Sequence, residues 1–122
     1  MSTPDPIRLA IRILFNAVDH QEWSVLGALL LPQAELQVSN FIPFRGRDSA
    51  LNYFRNLRSM KKSEHLMEGV AIEGAHGICW GRFTGTKNDG GDISYLFTDV
   101  LSFEDKKIRR WREYHCLPKL GA

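Results

Sequence analysis

Residues 93–103, ISYLFTDVLSF, alternate with a period of two, so Ile93, Tyr95, Phe97, Leu101 and Phe103 share one face of a strand and Asp99 stands among them. A carboxylate on an apolar face finds a partner, stays protonated, or costs several kcal/mol. Kept neutral, Asp99 is a hydrogen-bond donor able to meet a developing oxyanion. The structural alternative is a carboxylate that accepts from a tyrosine hydroxyl, an arginine or backbone N–H groups. Histidine is the other side chain that trades protons near neutral pH, and the chain has four: His20, His65, His76 and His115. His65 begins an alternating stretch and His115 lies near the end of another, whereas His20 and His76 fall in loop-like sequence. None belongs to an HxH, HxxxH or HExxH motif, so no metal site is expected.

Other chemistries lack their motifs. No GxxxxGK or GxGxxG precedes a helix and no GxSxG elbow is present, so neither a phosphate loop nor a hydrolase triad is expected, and no cofactor. Cys79 and Cys116 lie in strand-like sequence without CxxC spacing, which fits packed, reduced thiols. KKIRRWR gathers Lys106, Lys107, Arg109, Arg110 and Arg112 around Trp111, the composition of a nucleic-acid contact. In a strand those charges divide between two faces, and Glu104, Asp105 and Glu113 lie alongside. The arm therefore reads as a solvated hairpin, or one paired in a dimer with Arg110 or Arg112 crossing the interface. Sixteen basic and fourteen acidic residues leave a formal charge of +2, too balanced to indicate nucleic acid or a membrane surface. VLGALLLP is too short to span a bilayer, and MSTPDPIRLA lacks the layout of a secretory signal; a cytoplasmic location is expected.

The elements that must position these groups follow from periodicity. Ile7, Ile11, Leu14, Phe15 and Val18 recur at helical spacing, with Asp5 as cap and Pro6 in the first turn. Trp23, Leu26, Leu29 and Leu30 predict a short second helix stopped by Pro32. AELQVSNF reads as a weak strand, and FRGRD turns the chain into DSALNYFRNLRSM, a third helix with Asp48 as cap and a stripe of Leu51, Phe54, Leu57 and Met60. HLMEGVAIEG, GICWGRFTGT, ISYLFTDVLSF and IRRWREYHC then predict four strands joined by turns at GAHG, NDGG and EDKK. The 122 residues, 43% hydrophobic, suit one domain with one core. The expected class is α+β, with three N-terminal helices packed on a strongly curved, mostly antiparallel sheet enclosing a pocket. Leu66, Val70 and Ile72 should load the other sheet face with apolar surface, which points to a homodimer.

From residue 7 to 117 this order resembles the SnoaL-like group of the nuclear transport factor 2-like superfamily. NAVDHQEW, FRGRDSALNYF, HLMEGVAIEG and above all DVLSFEDKKIRRWREY carry the resemblance. It implies a cone-shaped fold with a pocket between sheet and helices, dimeric through the outer sheet face. The superfamily holds ketosteroid isomerase, polyketide cyclases, dehydratases and epoxide hydrolases beside members that only bind or scaffold, so the fold leaves function open. TDVLSF is similar to the isomerase stretch that supplies a neutral acid to the oxyanion hole, which implies that role for Asp99. The isomerase's tyrosine falls at Leu14 and its base near Asn40 or Gln37; neither an alkyl group nor an amide can do that work. Cyclases of the group end their last strand in Tyr-x-Asp, whereas this chain has Tyr114, His115 and Cys116.

Strand parity as in the isomerase would turn Trp111, Glu113 and His115 toward the cavity beside Asp99. His65 occupies a position where dehydratases of the superfamily place a histidine paired with an acid. A His65–Asp99 dyad, with Tyr95 or Tyr53 nearby, would take a proton beside a carbonyl and return it to a leaving hydroxyl. The expected ligand is a small apolar or cyclic organic molecule. Phe15, Trp23, Phe54, Trp80, Phe97 and Trp111 would form its walls, with Tyr95 and Glu113 beside them, and Asp99, His65 and His115 would be catalytic. The alternative is a non-catalytic ligand-binding or accessory module, which the missing tyrosine and acids favour.

Overall fold

A computed structural model describes residues 5–39 and 41–116. Helix α1 (Pro6–Asp19) starts as its sequence dictates: Asp5 Oδ1 accepts from the N–H groups of Ile7 (2.8 Å) and Arg8 (3.4 Å), and Ile11, Leu14, Phe15 and Val18 are buried. Helix α2 (Trp23–Ala28) ends earlier than its apolar pattern suggests, and Pro32 lies inside strand β1 (Leu30–Val38) rather than stopping a helix. The β1 ladder to its parallel neighbour is irregular between Leu30 and Glu35, so the missing proline N–H falls where no regular ladder bond is required.

After β2 (Phe44–Arg45), helix α3 (Arg47–Asn52) runs into a π-helical turn at Tyr53–Leu57, closed by Arg58 N–H donating to Tyr53 C=O. The widened turn rotates the expected stripe: Phe54 is buried, Leu57 is exposed, and Met60 already belongs to the next strand. Asp48 lies in the first turn of α3; Gly46, at φ 94°, holds the cap position.

Strands β3 (Met60–Glu73), β4 (His76–Lys87), β5 (Asp92–Glu104) and β6 (Lys107–Cys116) complete a six-stranded sheet in the order β2-β1-β6-β5-β4-β3. Every neighbouring pair is antiparallel except β1 with β6, and β2 and β3 form open edges. The architecture is α+β, with α1 against β3 and β4 and α3 against β1.

A register shift between Met67 and Gly69 changes which β3 residues face inward. His65 lies opposite Phe83, but beyond the bulge Val70 pairs with Cys79 and Ile72 with Gly77. Val70 and Ile72 therefore pack against the core, and of the three residues expected outside only Leu66 is exposed. Trp80 is also reversed from expectation. It pairs with Thr98, out of phase with the inward Cys79–Asp99 pair, and lies 41% exposed across Gly69 on the outer face, so it is no pocket wall. Glycine at 81 permits close passage of β3, because a Cβ there would come 2.0 Å from the Leu66 carbonyl oxygen.

On the inner face, the expected walls pack against one another. Phe54 stacks on Trp111 with centroids 4.9 Å apart, and Phe15 lies 5.6 Å from Phe97 and 5.9 Å from Trp111. Trp23 borders this cluster, half-buried. A cleft of about 430 Å³ opens beside it, between α1 and β3.

Candidate functional site

Asp19 ends α1 four residues after Phe15 and eight after Ile11, on the helix's buried side. Its carboxylate accepts from Ser63 Oγ (2.9 Å) and the His65 backbone N–H (2.8 Å), and faces His65 Nδ1 at 2.7 Å. Burial pushes its pKa up, but the His65 contacts and the Ser63 hydroxyl outweigh that and hold the carboxyl below the ordinary range. An ionised acid at this distance takes the Nδ1–H, which leaves His65 Nε2 as the acceptor nitrogen. The imidazole is fixed among rings, with centroids 4.7 Å from Phe15, 4.9 Å from Phe83 and 5.2 Å from Phe97. Arg58 extends the chain: its Nη2 donates to Ser63 Oγ at 3.2 Å, and its guanidinium lies over the Phe54 and Phe83 rings.

His65 thus has a carboxylate partner, as the sequence suggests, but the partner is Asp19 and not Asp99. Asp99 lies opposite Cys79, while His65 lies opposite Phe83 and touches Phe97, so the two groups occupy different levels of the sheet. Asp19 was missed although its signal resembles that of Asp99, an acid in register with an apolar stripe. Both Asp19 and His65 line the α1–β3 cleft, together with Phe15, Asn16 and Met67.

Asp99 belongs to a second cluster. It is 1% exposed; its Oδ2 accepts from Trp111 Nε1 at 2.7 Å, and its Oδ1 has no partner. Glu113 stands opposite it on β6. Burial, and then the Glu113 charge, raise the Asp99 pKa well above the ordinary carboxyl range, and the indole N–H offsets this only in part. Burial also pushes Glu113 up, but His115, with Nε2 3.4 Å from Glu113 Oε2, and then the more distant charges of His65 and Arg58 together outweigh it and hold Glu113 down. The two carboxyls titrate as a pair, in which burial and the Glu113 charge push Asp99 toward its protonated form and the His115 contact pushes Glu113 toward the anion. Tyr95 lies 4.2 Å from the His115 ring, and burial raises the hydroxyl pKa values of Tyr95 and Tyr53.

The expected gathering of Asp99, Trp111, Glu113 and His115 on one face is present, but its central acid is engaged by an indole. Leu14 is fully buried, and the Gln37 amide donates to the carbonyls of Ser39 and Phe41. Asn40 lies outside the described residues, as does the Cys116 side chain. Cys79 is buried, and its thiol pKa is raised by burial. Among the described residues no group of three or more His, Cys, Asp or Glu is arranged to hold a metal ion, and no helix is long and apolar enough to cross a membrane.

Comparison with known proteins agrees with this architecture. No curated protein matches the chain. A nuclear transport factor 2-like protein of unknown function from Burkholderia pseudomallei superposes with a TM-score of 0.83 at 13% identity, over 92% of each chain. An epoxide hydrolase of the LEH-like type from M. tuberculosis gives 0.81 at 16% identity, covering 91% of this chain and 83% of its own. A protein described as a SnoaL-like polyketide cyclase, from a Jannaschia species, gives 0.82 at 15% identity, covering 94% and 90%. At such identities these similarities establish the fold alone. The sequence itself matches the SnoaL-like domain over residues 11–111, and the chain belongs to that family.

Proposed function

We propose that the protein binds a small, largely apolar organic ligand in the α1–β3 cleft and transfers a proton beside its carbonyl, as an isomerase, cyclase or dehydratase would. The observation that carries this reading is the 2.7 Å contact between Asp19 Oδ1 and His65 Nδ1 at the cleft wall. Asp19 fixes the tautomer and stabilises the imidazolium, so His65 Nε2 can take a proton from the carbon next to a carbonyl and return it to carbon or to a departing hydroxyl. Asn16, on the same wall, can donate its amide to the enolate oxygen. Asp99 and His115 then support the sheet behind the site rather than touch substrate.

The wild-type protein should exchange the α-protons of an aryl ketone for deuterium in D2O, followed by NMR, and His65→Gln should lose that exchange. Exchange at the wild-type rate in His65→Gln would remove the proton-transfer reading. The second reading, a ligand-binding or accessory module without chemistry, is favoured by Leu14, and by Asn40 or Gln37, where the isomerase needs an acid and a base.

We further propose a cytoplasmic homodimer paired through the outer sheet face. Leu66, Ile78, Trp80, Leu96 and Tyr114 are between 41% and 59% exposed there, an apolar surface suited to a second copy. Sedimentation velocity should report a dimer, and Trp80→Glu should yield a monomer that keeps its circular dichroism spectrum. A wild-type monomer at all concentrations would refute this pairing.

A further inference from the structure

The wall of the cleft changes character along α1. Arg8, Ile11, Arg12, Phe15, Asn16 and Asp19 follow one another at helical spacing, so the N-terminal end is cationic, the middle apolar, and the C-terminal end holds the dyad acid. Arg8 and Arg12 are exposed and, among the described residues, form no ion pair. Their one-turn separation lets both guanidiniums address one anion. Arg12 and Asp19 are separated by about 10 Å along the helix axis. Across the cleft β3 contributes the apolar Met67 and Val70 and one acid, Glu68, which lowers the net positive charge of the lining.

We propose that the cleft selects a carboxylate substrate. Arg8 and Arg12 hold the carboxylate, an apolar middle crosses Ile11, Phe15, Met67 and Val70, and the carbonyl to be deprotonated reaches His65. Two guanidiniums and one glutamate in the same lining suit a singly charged anion better than a dianionic phosphate, and the fork geometry of arginine matches a carboxylate's two oxygens. The placement of the reactive carbonyl rests on the proton-transfer reading above; the selection for an anion does not.

The test uses 8-oxo-8-phenyloctanoate, an aryl ketone with a remote carboxylate, and its methyl ester. Isothermal titration at low salt should show the acid binding the wild type about tenfold or more tighter than the ester. The Arg8→Gln/Arg12→Gln protein should bind the two alike, with ester affinity unchanged. Glutamine keeps helix propensity at both exposed positions, so the fold is retained. Equal affinities in the wild type, a preference that survives in the double variant, or no binding of either probe at millimolar concentration would each overturn the proposal. Deuterium exchange at the carbon beside the ketone separates the two readings. Acid preference without exchange removes the chemistry and keeps the anion site, whereas exchange without acid preference does the reverse.

Discussion

Asp19→Ala should cost the fold about 3 kcal/mol near neutral pH and reduce proton exchange at least about a hundredfold, because one carboxylate serves both purposes. Its oxygens take the Ser63 hydroxyl, the His65 N–H and the His65 ring, and alanine leaves all three unpaired in a partly buried place. The loss has a defined pH dependence. The folded pKa of Asp19 lies below its ordinary value of 3.8, so its stabilisation is fully present above that value and is lost as pH falls through the folded pKa. Urea denaturation of wild type and variant should show the gap near pH 7 and a narrower one as acidification below 3.8 passes the folded pKa. Asp19→Asn, which keeps an acceptor for Ser63 or the backbone but no charge, should lose less stability while exchange still falls, since a neutral amide does not stabilise an imidazolium. An Asp19→Asn protein with wild-type exchange would mean that His65 works alone or not at all.

Much of the scaffold was legible because its elements repeat with clean periods. Asp5 and Pro6 announce α1, and the alternation through β5 places Tyr95, Phe97 and Asp99 on one inward face. What failed to show was written in irregularities that carry no period. The bulge after Met67 brings Val70 and Ile72 inward, and the π-helical turn displaces Leu57 and Met60 from the helical stripe. Pro32 is a helix breaker by composition, yet it sits in a strand whose ladder is interrupted around it. The site divided along the same line. That Asp99, Glu113 and His115 share a face follows from strand parity between neighbouring strands. The Asp19–His65 pair joins a helix end to a strand across 46 positions, and only tertiary packing decides which acid reaches the imidazole. Asp99 had the more conspicuous sequence and the less accessible place.

Asp99→Asn should stabilise the protein, by a margin that widens with pH. The Asp99 carboxyl is fully buried beside the Glu113 anion with one oxygen unpartnered, so the folded state holds its proton well above the ordinary value of 3.8. A raised carboxyl pKa means that the folded protein binds more protons than the unfolded chain between the two values. Wild-type stability therefore falls as pH rises from about 3.8 toward the folded pKa, at up to about 1.4 kcal/mol per pH unit. Asparagine carries no such proton: its carbonyl can accept from Trp111 Nε1 in place of Oδ2, and its amide can donate to Glu113. Wild type and variant should thus have similar stabilities near pH 3.5, and the variant should pull ahead as pH rises, until the pH passes the folded pKa of Asp99. Chemical denaturation at half-unit steps would trace the difference. A flat difference would show that the folded carboxyl titrates as it does in the unfolded chain, and a variant less stable at pH 8 would show that Asp99 is ionised in the folded protein and held by a partner. Exchange in the cleft should survive the substitution, because Asp99 lies at another level of the sheet from His65. A variant that gains stability and loses exchange would instead move the chemistry from the α1–β3 cleft to the inner face, where Asp99 trades stability for a proton it can donate.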